Sequence, residues 1–134
     1  MKGGEIMKVG PLIVVIIFIT FDIGTGWLKA LSTGTADSSV MRKGLFHKLA
    51  EILAVLFGYT CELVFPLVDI KTSIPLAAGI ATYIVIMETA SIVENLAIMN
   101  PALADILSKF FSKEKLNPEE KGEQTDENQS GSSS

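Results

Sequence analysis

Apolar residues are concentrated in three stretches of the 134-residue chain, separated by short polar segments. The stretches cover residues 9–28, 49–68 and 74–98, which is 20, 20 and 25 residues. About 20 apolar residues are enough for an α-helix to cross the hydrocarbon core of a bilayer. The pattern therefore predicts an all-α integral membrane protein with three transmembrane helices.

The third stretch, 74–98, contains no Lys or Arg but carries Glu88, Glu94 and Asn95. Its ten Ile, Leu and Val residues favour insertion by about 3–6 kcal/mol in total. One ionised carboxylate near the centre opposes insertion by about 2.5–3.5 kcal/mol, and a second near the end adds a smaller cost. Because these sums nearly cancel, we expect this helix to associate with partners or water rather than to stand alone in lipid.

Prolines mark the ends of the predicted helices. Pro66 follows Phe65 and should end or kink the second helix, because proline lacks the amide donor. The turn at 69–73 is short, so the second and third helices should form an antiparallel hairpin. Asn100 followed by Pro101 is a helix-start signal, and apolar residues at helical spacing then predict an amphipathic helix over about 101–111 at the membrane surface.

The remaining segments are polar. Residues 29–48 are predicted to be a polar connection that ends in a basic cluster of Arg42, Lys43, His47 and Lys48. Residues 113–134 lack the apolar residues needed for a core and are predicted to be a disordered cytoplasmic tail. The chain thus divides into a membrane domain, 1–112, and this tail.

Two alternatives concern the spans. Lys2 and Lys8 precede an apolar core, and the residues TGTA at 33–36 imitate a cleavage site, as in a signal peptide. Asp22 and Lys29 fit such a segment poorly, so we favour a retained span. The sequence leaves open whether 49–68 crosses the bilayer fully or lies partly in the interface.

Lys and Arg residues predict the orientation of the spans. The first connection and the C-terminal region hold eight of them, whereas the N-terminal flank and the second connection hold three. Positive residues accumulate on the cytoplasmic side. We therefore expect a multi-pass membrane protein with its N-terminus outside and its C-terminus in the cytoplasm.

Polar residues form one stripe on each predicted helix, because residues seven or eleven apart share a face. Asp22 could pair with Lys29 on its own or a neighbouring helix. These stripes either hold the helices of one protomer together or meet across protomers to line an aqueous opening, where water would stabilise the ionised carboxylates. The candidate pore-lining or oligomer-forming residues are Asp22, Gly26, Lys29, Glu51, Glu62, Glu88, Ser91, Glu94 and Asn95.

Composition excludes several classes of function. The single cysteine, Cys61, cannot form an intrachain disulfide or a cysteine-based zinc site. The chain has one histidine and neither a P-loop nor a dinucleotide-binding glycine pattern. A catalytic role would need a nucleophile or metal set that one histidine and scattered glutamates do not supply. We expect no enzyme activity, no cofactor or metal, and no nucleic-acid partner.

Three blocks of sequence resemble the toxin-secretion/phage-lysis holin family. They are DIGTGWLKA at 22–30, SSVMRKGLFHKL at 38–49 and ETASIVENLAIMNP at 88–101. The resemblance extends over roughly residues 9–108. It implies a phage or prophage protein that accumulates in the bacterial inner membrane, oligomerises, and forms lesions that release a cytoplasmic endolysin or a large toxin. The alternatives are a non-lytic membrane scaffold, a transporter subunit, and an antiholin that regulates a partner holin.

Overall fold

The computed structural model describes residues 3–114 of the chain, and the side chains of residues 8–110. In this part the chain forms α-helices and one short 3-10 helix, without a β-strand. The four α-helices are α1 (Gly3–Thr33), α2 (Ser38–Val64), α3 (Leu76–Met99) and α4 (Pro101–Glu114). The predicted tail lies, from residue 115 on, outside the described residues.

Three of the helices are long and apolar enough to cross a membrane. By length and composition the spanning segments are Lys8–Thr33, Ser38–Val68 and Leu76–Met99. Many large apolar side chains on the outer faces of these helices are exposed in the single chain. This exposure is expected of side chains that would face lipid. The prediction of an all-α membrane protein with three transmembrane helices is confirmed.

The connection between α1 and α2 is much shorter than predicted. α1 continues to Thr33 and α2 begins at Ser38, so the expected polar connection at 29–48 is wrong over most of its length. Gly34 adopts a positive φ of 68° after α1, a conformation that glycine tolerates well. Asp37 then caps α2, because its carboxylate accepts a hydrogen bond from the Ser39 amide. Arg and Lys have high helix propensity, so the basic residues Arg42, Lys43 and Lys48 lie within α2 rather than in a connection.

The second and third long helices form the predicted antiparallel hairpin. α2 ends at Val64, and a single 3-10 turn follows over Phe65–Val68 with Pro66 as its second residue, which confirms the break predicted at this proline. Asp69 follows in the left-handed region, with φ 58°. A Cβ added at Gly58 would lie 2.9 Å from the backbone of Ala77, so glycine permits the close approach of the two helices.

The junction between α3 and α4 is one residue long. Asn100 donates its amide to the Leu96 carbonyl at the end of α3, and its side-chain oxygen accepts from the Leu103 amide at the start of α4. The predicted helix start at Asn100-Pro101 is confirmed. Ala104 of α4 is buried, and α4 packs against α3.

The apolar core is a thin layer between the three long helices. Its buried members are Val15 and Ile19 of α1, Val55 of α2, and Ala81 and Ile84 of α3. Because the layer is small, the helices pack chiefly through one stripe each. The same stripes continue into a polar region, and that region is the most unusual feature of the molecule.

Candidate functional site: a charged cluster between the three long helices

One lysine joins the three long helices. Lys48 Nζ of α2 lies 2.9 Å from Asp22 Oδ2 of α1 and forms an ion pair and hydrogen bond with Glu88 Oε1 of α3. Both Asp22 and Glu88 are buried, and Glu88 is only 2% exposed. Such pairing is the usual condition for placing charged groups inside a membrane protein.

The cluster lies deep in the bundle. Glu88 is close to the midpoint of α3, which runs from Leu76 to Met99. At 1.5 Å of rise per residue, either end of the helix is about 17–18 Å away. A charge at this level of a transmembrane helix lies near the bilayer centre, where an unpaired charge is most costly.

Two further polar groups extend the cluster. Glu51 Oε2 lies 3.8 Å from Lys48 Nζ, and Glu51 Oε1 lies 3.3 Å from Nε2 of the largely exposed His47. On the opposite side Asn95 donates to Asp22 Oδ1 at 3.3 Å. The same amide lies 3.3 Å from the Thr25 hydroxyl oxygen. The cluster therefore connects α1 to both helices of the hairpin.

Negative charge exceeds positive charge in this cluster. Three carboxylates, those of Asp22, Glu51 and Glu88, face the single ammonium group of Lys48. Among the described residues, Glu51 Oε2 and Glu88 Oε2 are buried and have no hydrogen-bond partner. A buried carboxylate oxygen without a partner carries a free-energy cost of about 1–3 kcal/mol or more. The site is thus held together by one lysine and is incompletely satisfied.

The charged cluster and the apolar core are adjacent layers of one packing pattern. Val15, Val55 and Ala81 lie in the core, and each is seven residues from one charged member of the cluster. A separation of seven residues keeps the same helix face and moves about 10 Å along the axis. The charged layer of Asp22, Lys48 and Glu88 therefore lies about two helix turns from the layer of Val15, Val55 and Ala81, with Ile19 and Ile84 of the core between them.

The structure divides the nine predicted site residues into groups. Asp22, Glu51, Glu88 and Asn95 belong to the charged cluster. Gly26 is beside it, because a Cβ added there would lie 3.5 Å from the Asn95 amide nitrogen. Lys29 and Ser91 are half-buried and Glu94 is exposed. Whether any of them lines an opening in an oligomer stays a prediction.

Glu62 has a different role from the other acidic residues. Its Oε1 accepts a hydrogen bond of 2.8 Å from the Ala77 amide, in the first turn of α3. Pro75, at the N-cap position of α3, makes no side-chain cap hydrogen bond. Glu62 therefore supplies an acceptor for a free amide from the neighbouring helix, and its negative charge suits the positive end of the helix dipole.

Sequence reasoning missed Lys48. The polarity of the sequence places Lys48 in the polar connection and offers Lys29 as a possible partner of Asp22, whereas the structure pairs Asp22 with Lys48 of α2. A signal was present: stepping back by seven from Glu62 gives Val55 and then Lys48, so the stripe of the second helix extends through the basic cluster. This position of Lys48 does not follow if basic residues are taken to mark the end of a membrane span.

A bacteriophage holin family model matches residues 7–115 of the chain. This range contains α1 from residue 7 on, all of α2, α3 and α4, and every member of the charged cluster. The chain belongs to the bacteriophage holin family. No match was found among curated proteins or among solved structures.

Membership agrees with the three spanning helices and makes the chain a holin-type membrane protein. The family is not an enzyme family. In the structure the charged cluster joins the three long helices of this chain.

Proposed function

We propose that this chain is a lytic holin: it accumulates in the bacterial inner membrane, associates with copies of itself, and forms lesions through which a cytoplasmic endolysin or a large toxin escapes. Family membership supports the general class. The observation that carries the mechanism is the buried charged cluster around Lys48.

The cluster provides a packed state that is stable but easily exchanged for a hydrated one. In the single chain, Asp22 and Glu88 both pair with Lys48 between the helices. If the helices separate, these charges require water or polar groups from other copies, because lipid cannot solvate them. Exposure of the cluster to water in an assembly of copies therefore links opening of the bundle to formation of an aqueous lesion.

The orientation remains N-terminus outside and C-terminus cytoplasmic in this proposal. With Lys48 in the cluster, the sequence has seven rather than eight Lys and Arg residues in residues 29–47 and from residue 101 on, the two segments that share a side in a chain with three spans. The opposite side has three. The bias still favours a cytoplasmic C-terminus by the positive-inside rule.

Inducible expression in bacteria that also carry a cytoplasmic endolysin tests the function. We expect an abrupt loss of viability and release of a cytoplasmic reporter enzyme after a lag. Growth that continues at high expression would contradict the proposal and favour a non-lytic scaffold or transporter subunit. If this chain instead delayed the lysis that a second, co-expressed holin causes, it would be an antiholin.

A matched pair of variants tests the role of the cluster. Glu88→Gln removes a charge from the charged layer, whereas Glu62→Gln removes one from a helix cap while keeping an acceptor oxygen. We expect Glu88→Gln to shorten the lag before lysis, because it weakens the packed state, and Glu62→Gln to change it much less. Equal lags in Glu88→Gln and the unmodified chain, at equal protein levels, would refute this role.

A further inference from the structure

Glu94 is an exposed carboxylate on a transmembrane helix. It lies on α3 five residues before Met99, or about 8 Å from the end of the helix. The described residues provide it with no ion pair within 4.0 Å. An unpaired carboxylate on a lipid-facing surface is unfavourable, so this position calls for a partner outside the chain's own packed bundle.

Arg42 is an exposed cation at the same level of the bundle. α2 and α3 are antiparallel, and Lys48 of α2 contacts Glu88 of α3. Six residues back from Lys48 is Arg42, and six residues forward from Glu88 is Glu94, so both lie the same distance along the hairpin from the charged cluster. Arg42 also forms no ion pair among the described residues.

The two charges lie on separate exposed stripes. Arg42 continues at helical spacing into Phe46, Leu49 and Leu53 on α2, all exposed. On α3 the stripe of Glu94 contains Ile98, Met87 and Tyr83, also exposed. Each stripe is therefore an apolar surface with one charge near the same end of the hairpin, and the two charges are opposite in sign.

We propose that copies of this chain pack side by side in the membrane through these two stripes, with Arg42 of one copy paired to Glu94 of the next. This inference rests on the proposed function and specifies the contact between copies. Arginine suits the role because its planar guanidinium binds carboxylates in a bidentate manner. Because the two stripes are different surfaces, the contact is heterologous, and repetition produces a ring or an extended array rather than a closed dimer.

Cysteine cross-linking tests this contact without removing the charges. Leu49 and Met87 lie seven residues from Arg42 and Glu94 on the same stripes, and both are exposed. Both chains carry Cys61→Ser, because the native cysteine would compete. One chain then carries Leu49→Cys, and a second, distinguishable by a size tag, carries Met87→Cys. After oxidation of membranes from bacteria that express both, we expect the mixed dimer to exceed either homodimer by about fivefold or more.

Charge exchange between the chains identifies the pair. Arg42→Glu in the first chain, or Glu94→Arg in the second, should lower the mixed cross-link by about fivefold. Combining the two changes should restore it, because the pair re-forms with reversed signs. Lys43→Glu in the first chain is the matched control at almost the same depth, and it should leave the cross-link nearly unchanged.

Several outcomes would overturn the contact. Cross-links that form mainly between identical chains would indicate a symmetric interface, and equal yields in all combinations would indicate random collisions in lipid. A loss that follows Lys43→Glu would make Lys43 of the first chain, rather than Arg42, the partner of Glu94 in the second. Failure of the exchanged pair to restore the cross-link would refute the Arg42–Glu94 pair. The cross-link can be measured whether or not the cells lyse. If the cross-link forms but expression causes no lysis, the proposed function is refuted and the contact is not. If expression causes lysis but the cross-link does not form, the contact is refuted and the proposed function is not.

Discussion

Replacement of Lys48 by methionine removes the one positive charge shared by Asp22 and Glu88. Methionine keeps much of the length and volume of the side chain, so the change is chiefly electrostatic. An ion pair at 2.9 Å corresponds to about 6 kcal/mol of Coulomb energy at an effective dielectric constant of about 20. Removing one partner of a buried pair typically costs about 3–5 kcal/mol, because the other charge remains buried.

We therefore expect Lys48→Met to lower the free energy of unfolding by about 3 kcal/mol. A double-mutant cycle separates this effect from loss of packing. Glu88→Gln removes one of the carboxylates that the first variant leaves unpaired, so the double variant should be less destabilised than the sum of the two single variants. The coupling should be about 2 kcal/mol, within the range for groups in one network.

The measurement is reversible unfolding in mixed micelles by titration with a denaturing detergent, followed by helix content. The control is Lys109→Met, because Lys109 Nζ lies 2.7 Å from Asp105 Oδ2 while the two side chains are 72% and 62% exposed. That exposed pair should contribute only about 0.3–0.5 kcal/mol. Equal effects of the two lysine substitutions, or additive effects in the cycle, would refute a stabilising charged cluster.

Three further predictions concern the hairpin and its caps. Gly58→Ala should destabilise the chain by about 1–2 kcal/mol, because the added Cβ meets the backbone of α3. Gly44→Ala should stabilise the chain by up to about 1 kcal/mol, because the added Cβ meets nothing within 4 Å. Unfolding titrations in which the two variants change the free energy of unfolding in the same direction would contradict this. Glu62→Ala should cost about 1 kcal/mol by removing the acceptor at the start of α3, and Glu62→Gln should recover at least half; equal losses would argue against the cap. The hydrogen bond from the Ser39 hydroxyl lowers the pKa of Asp37. The stabilisation of α2 by this cap should therefore be complete above pH of about 4 and disappear as pH falls through the lowered pKa. Nuclear magnetic resonance should show the chemical shift of the Ser39 amide titrating in that range, and the same titration in Asp37→Asn would exclude Asp37 as its source.

Local signals in the sequence predicted the helices well where they depend on chemistry that acts over a few residues. Pro66 cannot donate an amide hydrogen bond, and the helix changes to a 3-10 turn at this point. Asn100 and Pro101 similarly start α4 as expected. The lengths of the apolar stretches were enough to give three membrane-spanning helices.

The location of Lys48 could not be obtained from polarity alone. A basic residue near an apolar stretch can flank the membrane or lie within it, and only the presence of carboxylates on neighbouring helices decides between them. Asp22 and Glu88 are 26 and 40 residues away in the sequence from Lys48, so their proximity depends on the packing of all three helices. Continuing the stripe of α2 through Lys48 would have suggested the position, but not its partners.

The charged layer, rather than the apolar core, distinguishes the packed bundle from separated helices. In a bilayer, Val15, Val55 and Ala81 lose little hydrophobic energy when the helices part, because lipid chains are as apolar as the side chains they replace. Lys48 and the carboxylates around it cannot be transferred to lipid at a comparable cost. They must keep one another, acquire water, or meet polar groups of another copy. Any opening of this bundle is therefore coupled to hydration or to assembly, and a chain whose charged layer is made apolar should keep its three helices while losing that coupling.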